Sequence, residues 1–161
     1  MDTLKDIVAY FTANYPYPNE LSKARLTKMV YLADWKSAID YGKQATDILW
    51  YFDNYGPFKP DVYNIVAANP ELFQIDSTNT MFGDRKNVLR IRDKAFIPNL
   101  SDSVKHLLDH VISETKTLNW TQFISLVYGT FPIVVSPRYT ELDLVALASQ
   151  YEATARTLQT R

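Results

Sequence analysis

The chain contains no cysteine, and it has only two histidines and four glycines among its 161 residues. Without cysteine there is neither a disulfide framework nor a thiolate metal site, which suits a reducing, cytoplasmic location. Nucleophilic catalysis requires a hydroxyl or thiol beside an oriented base, and the sequence has no Gly-x-Ser-x-Gly motif to supply one. It also lacks the glycine-rich run of a phosphate-binding loop. We therefore expect no catalytic residues and no cofactor, and an enzyme is the weaker hypothesis.

An excess of one charge and long apolar runs are missing as well. The 17 basic residues nearly balance the 18 acidic ones, so the net charge of −1 does not indicate a nucleic acid or an anionic membrane as partner. No apolar run approaches the roughly 20 residues that span a bilayer, and the first residues lack the apolar core of a signal peptide. The length and a hydrophobic share of 47% predict one globular domain over residues 1–155, followed by a polar tail at 156–161.

Apolar periodicity predicts an α+β fold that is predominantly α-helical and organised around one helix. Two opposite stripes of this helix are apolar, the first made of Leu26, Met29, Val30 and Ala33, the second of Leu21, Tyr31, Leu32 and Trp35. A helix that is apolar on two sides is usually enclosed, so we place it at the centre, sandwiched by other helices. Lys28 lies within the second stripe, and we expect its ammonium group to reach water.

Other patterns predict the elements around the central helix. Alternating residues predict a short buried strand at 47–53 and a β-hairpin formed by 72–76 and 88–92, both on one side of the fold. Periodicity alone also allows a brief helical stretch at 47–53. Further helices are predicted over about 3–14, 60–68, 121–130 and 141–155, with another beginning at Ser101 or Ser103.

The most specific pattern in the chain runs from Leu26 to Tyr63. It has a helical Leu-x-Lys-Met-Val-Tyr run, then Trp50 about five residues before a Tyr-Gly-Pro turn, and then a Val-Tyr pair. This order and spacing resemble the Panacea domain, the SocA-like antitoxin family. The resemblance implies a protein that neutralises a cognate protein toxin by forming a complex, and that in some members also delivers the toxin to a protease. Phe58 stands where an aliphatic residue commonly follows the proline, and this departure bears on the partner more than on the fold.

The aromatic content indicates where such a partner would bind. Eleven tyrosines and 14% aromatic residues exceed what one small helical core needs. Tyrosine presents a large rigid surface while its hydroxyl stays hydrated, so surplus rings are candidate interface anchors. The alternative, that most of these rings simply pack in the core, is equally open. The predicted partner-binding residues, which we expect to converge on the turn, are Trp35, Tyr51, Tyr55, Gly56, Pro57, Phe58 and Tyr63.

A second class of function depends on the basic segment 83–94, which holds five basic and two acidic residues. As the wing of a DNA-binding domain it would make the protein a regulator of its own promoter. However, its arginines alternate with apolar residues as on any solvated strand face, and no helix dense in Arg or Lys is present to read DNA. Nucleic acid is therefore the less favoured partner. The residues that would contact it are Arg85, Lys86, Arg90 and Arg92.

Metal binding and carboxylate chemistry have little support. His106 and His110 have a spacing that can chelate zinc, but they project away from the apolar stripe of their helix and lack the glutamate of a zinc hydrolase motif. We expect two exposed histidines and no metal site. Asp34 and Asp53 could form a pair of carboxylates, although exposure to solvent or helix capping is the simpler expectation for both.

Overall fold

The computed structural model describes residues 4–79, Gly83 and 85–159. The helices in this part of the chain are α1 (Leu4–Asn14), α2 (Lys23–Tyr41), α3 (Asp61–Ala68), α4 (Asp102–Thr115), α5 (Trp120–Tyr128), α6 (Phe131–Val135) and α7 (Leu144–Gln159). The strands are β1 (Tyr51–Asp53), β2 (Gly56–Phe58), β3 (Phe73–Asn79) and β4 (Arg85–Ile91), paired β1 with β2 and β3 with β4 as antiparallel hairpins. This confirms the predicted α+β, predominantly α-helical class. Within these ranges no helix is both long and apolar enough to cross a membrane.

The chain divides into two compact units. The first comprises the residues up to Val30 together with Pro60–Thr117, and the second comprises Tyr31–Lys59 together with the residues from Leu118 onward. Helix α2 begins in the first unit and ends in the second. The expectation of a single domain over residues 1–155 stays a prediction.

Both apolar stripes of α2 are enclosed, as a helix with two hydrophobic sides requires. The first stripe is buried along its whole length, and the second is buried except at Leu32, which is half-buried. The expectation for Lys28 is wrong, because its side chain is only 3% exposed and therefore does not reach water freely. Arg25 is buried too, and its Nη2 donates to the Tyr15 hydroxyl at 2.9 Å and to the Thr115 carbonyl at 2.8 Å.

The first unit contains the predicted β-hairpin, formed by β3 and β4. Its strands pair from Phe73 opposite Ile91 to Asn79 opposite Arg85, which confirms the hairpin and extends it beyond the predicted range. The free side of β4 is joined to the start of α2, since the Leu89 N–H donates to the Leu21 carbonyl at 2.9 Å. Helix α1 covers this hairpin with the buried face of Ile7, Val8 and Phe11.

Several boundaries in the second unit differ from the prediction. The strand predicted at 47–53 begins only at Tyr51, and Gly56–Phe58, expected to be part of a turn, forms the partner strand β2. Phe131 and Pro132 were expected to stop a helix but begin α6, because proline at the second helical position loses no hydrogen bond that it needs. Helix α7 starts at Leu144, where the Asp143 side chain accepts from the Ala146 N–H at 3.1 Å and caps it.

Candidate functional site

The β1–β2 hairpin presents the most exposed of the predicted partner-binding rings. Its register pairs Tyr51 with Phe58 and Asp53 with Gly56, so the chain reverses at Asn54 and Tyr55. The Tyr55 side chain is 80% exposed at this reversal. The hairpin therefore holds one tyrosine ring almost wholly in solvent.

The hairpin rests on the ring of Tyr128 from α5. Gly56 has a φ of +97°, and a Cβ added there would lie 3.4 Å from Cε2 of Tyr128. Phe52 of β1 packs edge-on against the same ring, with the ring centres 6.3 Å apart. Glycine is the residue that adopts this backbone conformation without strain, and the Tyr128 ring lies at van der Waals distance from it. The Gly56 position thus fixes both the bend of the hairpin and its seat.

The edge of β1 that faces away from β2 is also hydrogen-bonded. The Tyr139 N–H donates to the Phe52 carbonyl at 2.6 Å, the Phe52 N–H donates to the Thr140 carbonyl at 2.9 Å, and the Leu142 N–H donates to the Trp50 carbonyl at 2.9 Å. We call residues 138–142 the edge segment. Because β2 lies on one side of β1 and the edge segment on the other, the backbone of β1 is held from both sides.

The edge segment carries a second exposed tyrosine next to the hairpin turn. Tyr139 has a φ of +68°, in the left-handed region that residues other than glycine rarely adopt. Its hydroxyl donates to Oδ1 of Asn54 at 2.5 Å, and its side chain is still 57% exposed. The neighbouring Arg138 is exposed and places its guanidinium 5.4 Å from the centre of the Phe52 ring. Tyr139 therefore bonds to Asn54 next to Tyr55, and Arg138 lies over the Phe52 ring of the same hairpin.

A buried carboxylate anchors the chain that leads into β1. Asp34 of α2 is 0% exposed and accepts from the Trp50 indole N–H at 2.8 Å, the Thr46 backbone N–H at 2.8 Å and the Thr46 hydroxyl. Gln44 also donates to Asp34, at 3.3 Å, and to the Ile48 carbonyl at 2.9 Å. These four side chains, Asp34, Gln44, Thr46 and Trp50, form what we call the Asp34 network. It ties the irregular segment before β1 to the helix.

Burial controls the protonation of this carboxyl. It raises the pKa of Asp34 from 3.8 to about 6, and the hydrogen bonds from Thr46 and Trp50 lower that pKa only in part. The Trp50 ring, itself fully buried, packs edge-on against Tyr31 with the ring centres 5.6 Å apart. The network therefore combines one titratable group with a tightly packed aromatic pair.

Three of the predicted partner-binding rings lie on the β1–β2 hairpin, and the other two lie on helices. Tyr51 and Phe58 are half-buried and lie opposite each other on the hairpin that carries Tyr55. Trp35 is only 7% exposed and stacks on Phe131, so the expectation of an exposed ring is wrong there. The remaining assignments are as follows: Gly56 and Pro57 are buried within β2, and Tyr63 is half-buried on α3 of the first unit, under the Lys23 ammonium at 4.6 Å.

Intramolecular contacts occupy most of the basic residues proposed to bind DNA. Arg90 forms an ion pair with Asp76 at 2.6 Å, and its Nη2 donates to Asn19 Oδ1 at 2.6 Å. Lys86 donates to the Asn19 carbonyl at 3.3 Å, and Arg92 donates to the Phe73 carbonyl at 3.3 Å. Arg85 is exposed at the start of β4. The contacts of Arg90, Lys86 and Arg92 weaken the DNA-binding hypothesis, which stays a prediction; Asp84 of the same segment lies outside the described residues.

The remaining candidates are the two histidines of α4 and the two aspartates Asp34 and Asp53. His106 and His110 are both exposed on α4, and no group of three or more His, Cys, Asp or Glu side chains in the described part of the chain could hold a metal ion. Asp34 is buried in its network, contrary to the expectation of exposure or capping. Asp53 accepts from the Asn54 N–H at 2.9 Å. Each of these two aspartates is thus engaged in a separate structural role.

Sequence reasoning missed both the Asp34 network and the edge segment. One signal for the network was present, because a tryptophan in an apolar run needs an acceptor for its indole N–H once it is buried. The acid that accepts from it is Asp34 on the central helix, sixteen residues before Trp50. The edge segment gave no periodic signal, and its bonds to the hairpin join residues far apart in the chain, such as Asn54 and Tyr139 at a separation of 85.

Comparison with protein families gives a match over most of the chain. The family described as Antitoxin SocA-like, Panacea domain matches residues 26–130. The matched range contains the Asp34 network, the β1–β2 hairpin and Tyr128, and it ends before the edge segment. No curated protein matches the chain, and no solved structure matches it.

Proposed function

The chain belongs to the SocA-like antitoxin family, and on that premise we propose that it neutralises a cognate protein toxin by binding it directly. We assign the contact to the hairpin patch, defined as Tyr51, Tyr55 and Phe58. The observation that carries this assignment is the 80% exposure of Tyr55 at the reversal of a hairpin whose backbone is held on both edges of β1.

The support beneath Tyr55 suits it to act as an anchor. An interface side chain must lose its conformational freedom on binding, and a ring on a rigid backbone has less freedom to lose. The Gly56 seat on Tyr128 and the Asp34 network both restrain the hairpin before any partner arrives. Tyrosine is also among the residues that dominate binding energy when they are buried at the centre of an interface. Occlusion of a toxin surface by this patch is the mechanism we propose.

The toxin to test is the product of an adjacent reading frame whose expression alone stops growth. Co-expression of the wild-type chain should restore growth. Tyr55→Ala should abolish or greatly weaken that protection, because it removes the most exposed ring of the patch. The matched control is Tyr17→Ala, since Tyr17 is also an exposed tyrosine, at 51%, and lies in the first unit.

Thermal unfolding separates a lost contact from a lost fold. Tyr55 is nearly fully exposed, so its removal should leave the melting temperature close to that of the wild type. Loss of protection with an unchanged melting temperature supports the hairpin patch as the contact. If Tyr55→Ala and Phe58→Ala chains both protect as well as the wild type, the patch is not the contact.

The family resemblance also implies a second mode of neutralisation, in which the chain delivers the toxin to a protease. The half-life of the toxin distinguishes the two modes. Under occlusion alone, the toxin should persist in cells that also make the antitoxin. Under delivery, the toxin should disappear faster in the presence of the chain, and this acceleration should be lost in cells that lack the protease.

A further inference from the structure

We propose that Arg138 and Tyr139 extend the hairpin patch and select a partner with an acidic surface. This inference rests on the proposed function, because it names the chemistry of the toxin face that the patch would bind. The extended surface consists of the hairpin patch together with Asn54, Arg138 and Tyr139.

Tyr139 is held in a costly conformation that keeps its ring in solvent. A left-handed backbone is unfavourable for a residue other than glycine. The bonds of Tyr139 to the Phe52 carbonyl and to Asn54 hold that conformation. In spite of both bonds the side chain remains 57% exposed. A ring that is fixed in orientation and still exposed is ready to meet a partner with little further loss of entropy.

Arg138 supplies an oriented positive charge beside this ring. Its guanidinium stacks on Phe52, which restricts where the charge can point. Among the described residues, no carboxylate lies within 4.0 Å of Arg138 to form an ion pair with it. Arginine binds carboxylates through two parallel hydrogen bonds, so a preoriented and exposed guanidinium favours a partner that offers an aspartate or glutamate. We therefore commit to an acidic face of the toxin, with a recess for the two tyrosine rings.

The position of these residues in the chain suits them to choose between partners. The family match ends at residue 130, whereas Arg138 and Tyr139 follow it. Tyr139 nevertheless bonds to Asn54, in the turn that lies within the matched range. We infer that this segment adjusts partner choice, while the hairpin supplies the main anchor. Complementary charge at a rim adjusts partner choice and association rate more than it adjusts stability.

Calorimetric titration of the purified chain with the purified growth-arresting product of the adjacent reading frame tests this proposal. Arg138→Glu should weaken binding by at least about tenfold, because it opposes like charges across the interface. Tyr139→Gly should weaken binding by about tenfold through loss of the ring, while glycine adopts the left-handed backbone freely. Binding by the wild type should weaken as salt is added, and this dependence should be smaller for Arg138→Gln.

Two controls make these results specific. Glu141→Gln changes an exposed charge of the opposite sign on the same segment, and it should bind an acidic partner as tightly as the wild type or more tightly. Its backbone bridge to Tyr51 does not involve the side chain. A double-mutant cycle between Tyr55→Ala and Tyr139→Gly should be non-additive if both rings enter one recess.

Each outcome decides between the two proposals. If the wild-type chain neither binds nor protects against the toxin, the proposed function fails and this inference falls with it. If the wild type binds and Tyr55→Ala weakens binding, but Arg138→Glu, Arg138→Gln and Tyr139→Gly bind like the wild type, only the extended surface is refuted. Tighter binding by Arg138→Glu would overturn the acidic partner. Melting temperatures near that of the wild type show that each variant is folded.

Discussion

Replacement of Asp34 by asparagine should change how the stability of the chain depends on pH. Burial raises the pKa of the Asp34 carboxyl from 3.8 to about 6. Between these values the folded chain holds the Asp34 proton more tightly than the unfolded chain does, so protonation favours folding. The difference between the two pKa values corresponds to about 3 kcal/mol, since one pKa unit is about 1.36 kcal/mol.

The sign of the effect follows from the raised pKa. This contribution to the free energy of unfolding is fully present below the unfolded pKa, and it is lost as the pH rises through about 6. Asparagine does not titrate. The free energy of unfolding of the wild type minus that of Asp34→Asn should therefore fall by about 2 to 3 kcal/mol between about pH 4 and about pH 7.

Urea unfolding followed by far-ultraviolet circular dichroism at a series of pH values measures this difference. Asp47→Asn is the matched control, because it removes an exposed carboxylate from the same segment as Thr46. The difference between the wild type and Asp47→Asn should vary much less with pH. A constant difference between the wild type and Asp34→Asn would refute the reasoning from burial. A difference that rises with pH would show that the hydrogen bonds from Thr46 and Trp50 outweigh the cost of burying the charge.

Two further predictions concern the seat of the hairpin and the basic strand. Gly56→Ala should destabilise the chain by about 1 to 2 kcal/mol, because alanine is strained at the positive φ of this position. Chemical denaturation measures the loss, and a neutral effect would contradict the strain argument. In a gel-shift assay on the promoter of its own gene, the wild-type chain should give no salt-sensitive shift, because intramolecular bonds occupy most of the basic side chains. The control variant has four residues replaced by alanine: Arg85, Lys86, Arg90 and Arg92. A shift that the wild type gives and this variant does not would restore the DNA-binding hypothesis.

Features set by local periodicity could be predicted from the sequence. The two buried stripes of α2 and the pairing of β3 with β4 follow from helical and alternating spacing, which depends on neighbours a few positions apart. The reversal at Tyr55 was also expected, since glycine and proline mark turns. The strand at Gly56–Phe58 was not expected, because the same two residues usually interrupt a strand.

Features set by distant parts of the chain could not be predicted. Helical periodicity predicts on which side of α2 Asp34 and Lys28 lie, but it does not predict which other residues cover that side. Asp34 is buried because Thr46 and Trp50 return to it with three donors. The left-handed backbone of Tyr139 likewise depends on its bonds to Phe52 and Asn54. A residue that adopts an unfavourable conformation under such restraint gives no local signal of it.

The bonding of the hairpin also limits how a partner can bind it. An extended peptide can add to a sheet only where a strand offers free N–H and C=O groups. β1 lies between β2 and the edge segment, so neither of its edges is available. β2 is only three residues long, its Gly56 and Pro57 are buried, and Pro57 has no N–H to donate. A partner must therefore recognise side chains on this hairpin, and its binding energy should be concentrated in a few of them. Single substitutions at Tyr55, Arg138 or Tyr139 should consequently have large effects on affinity.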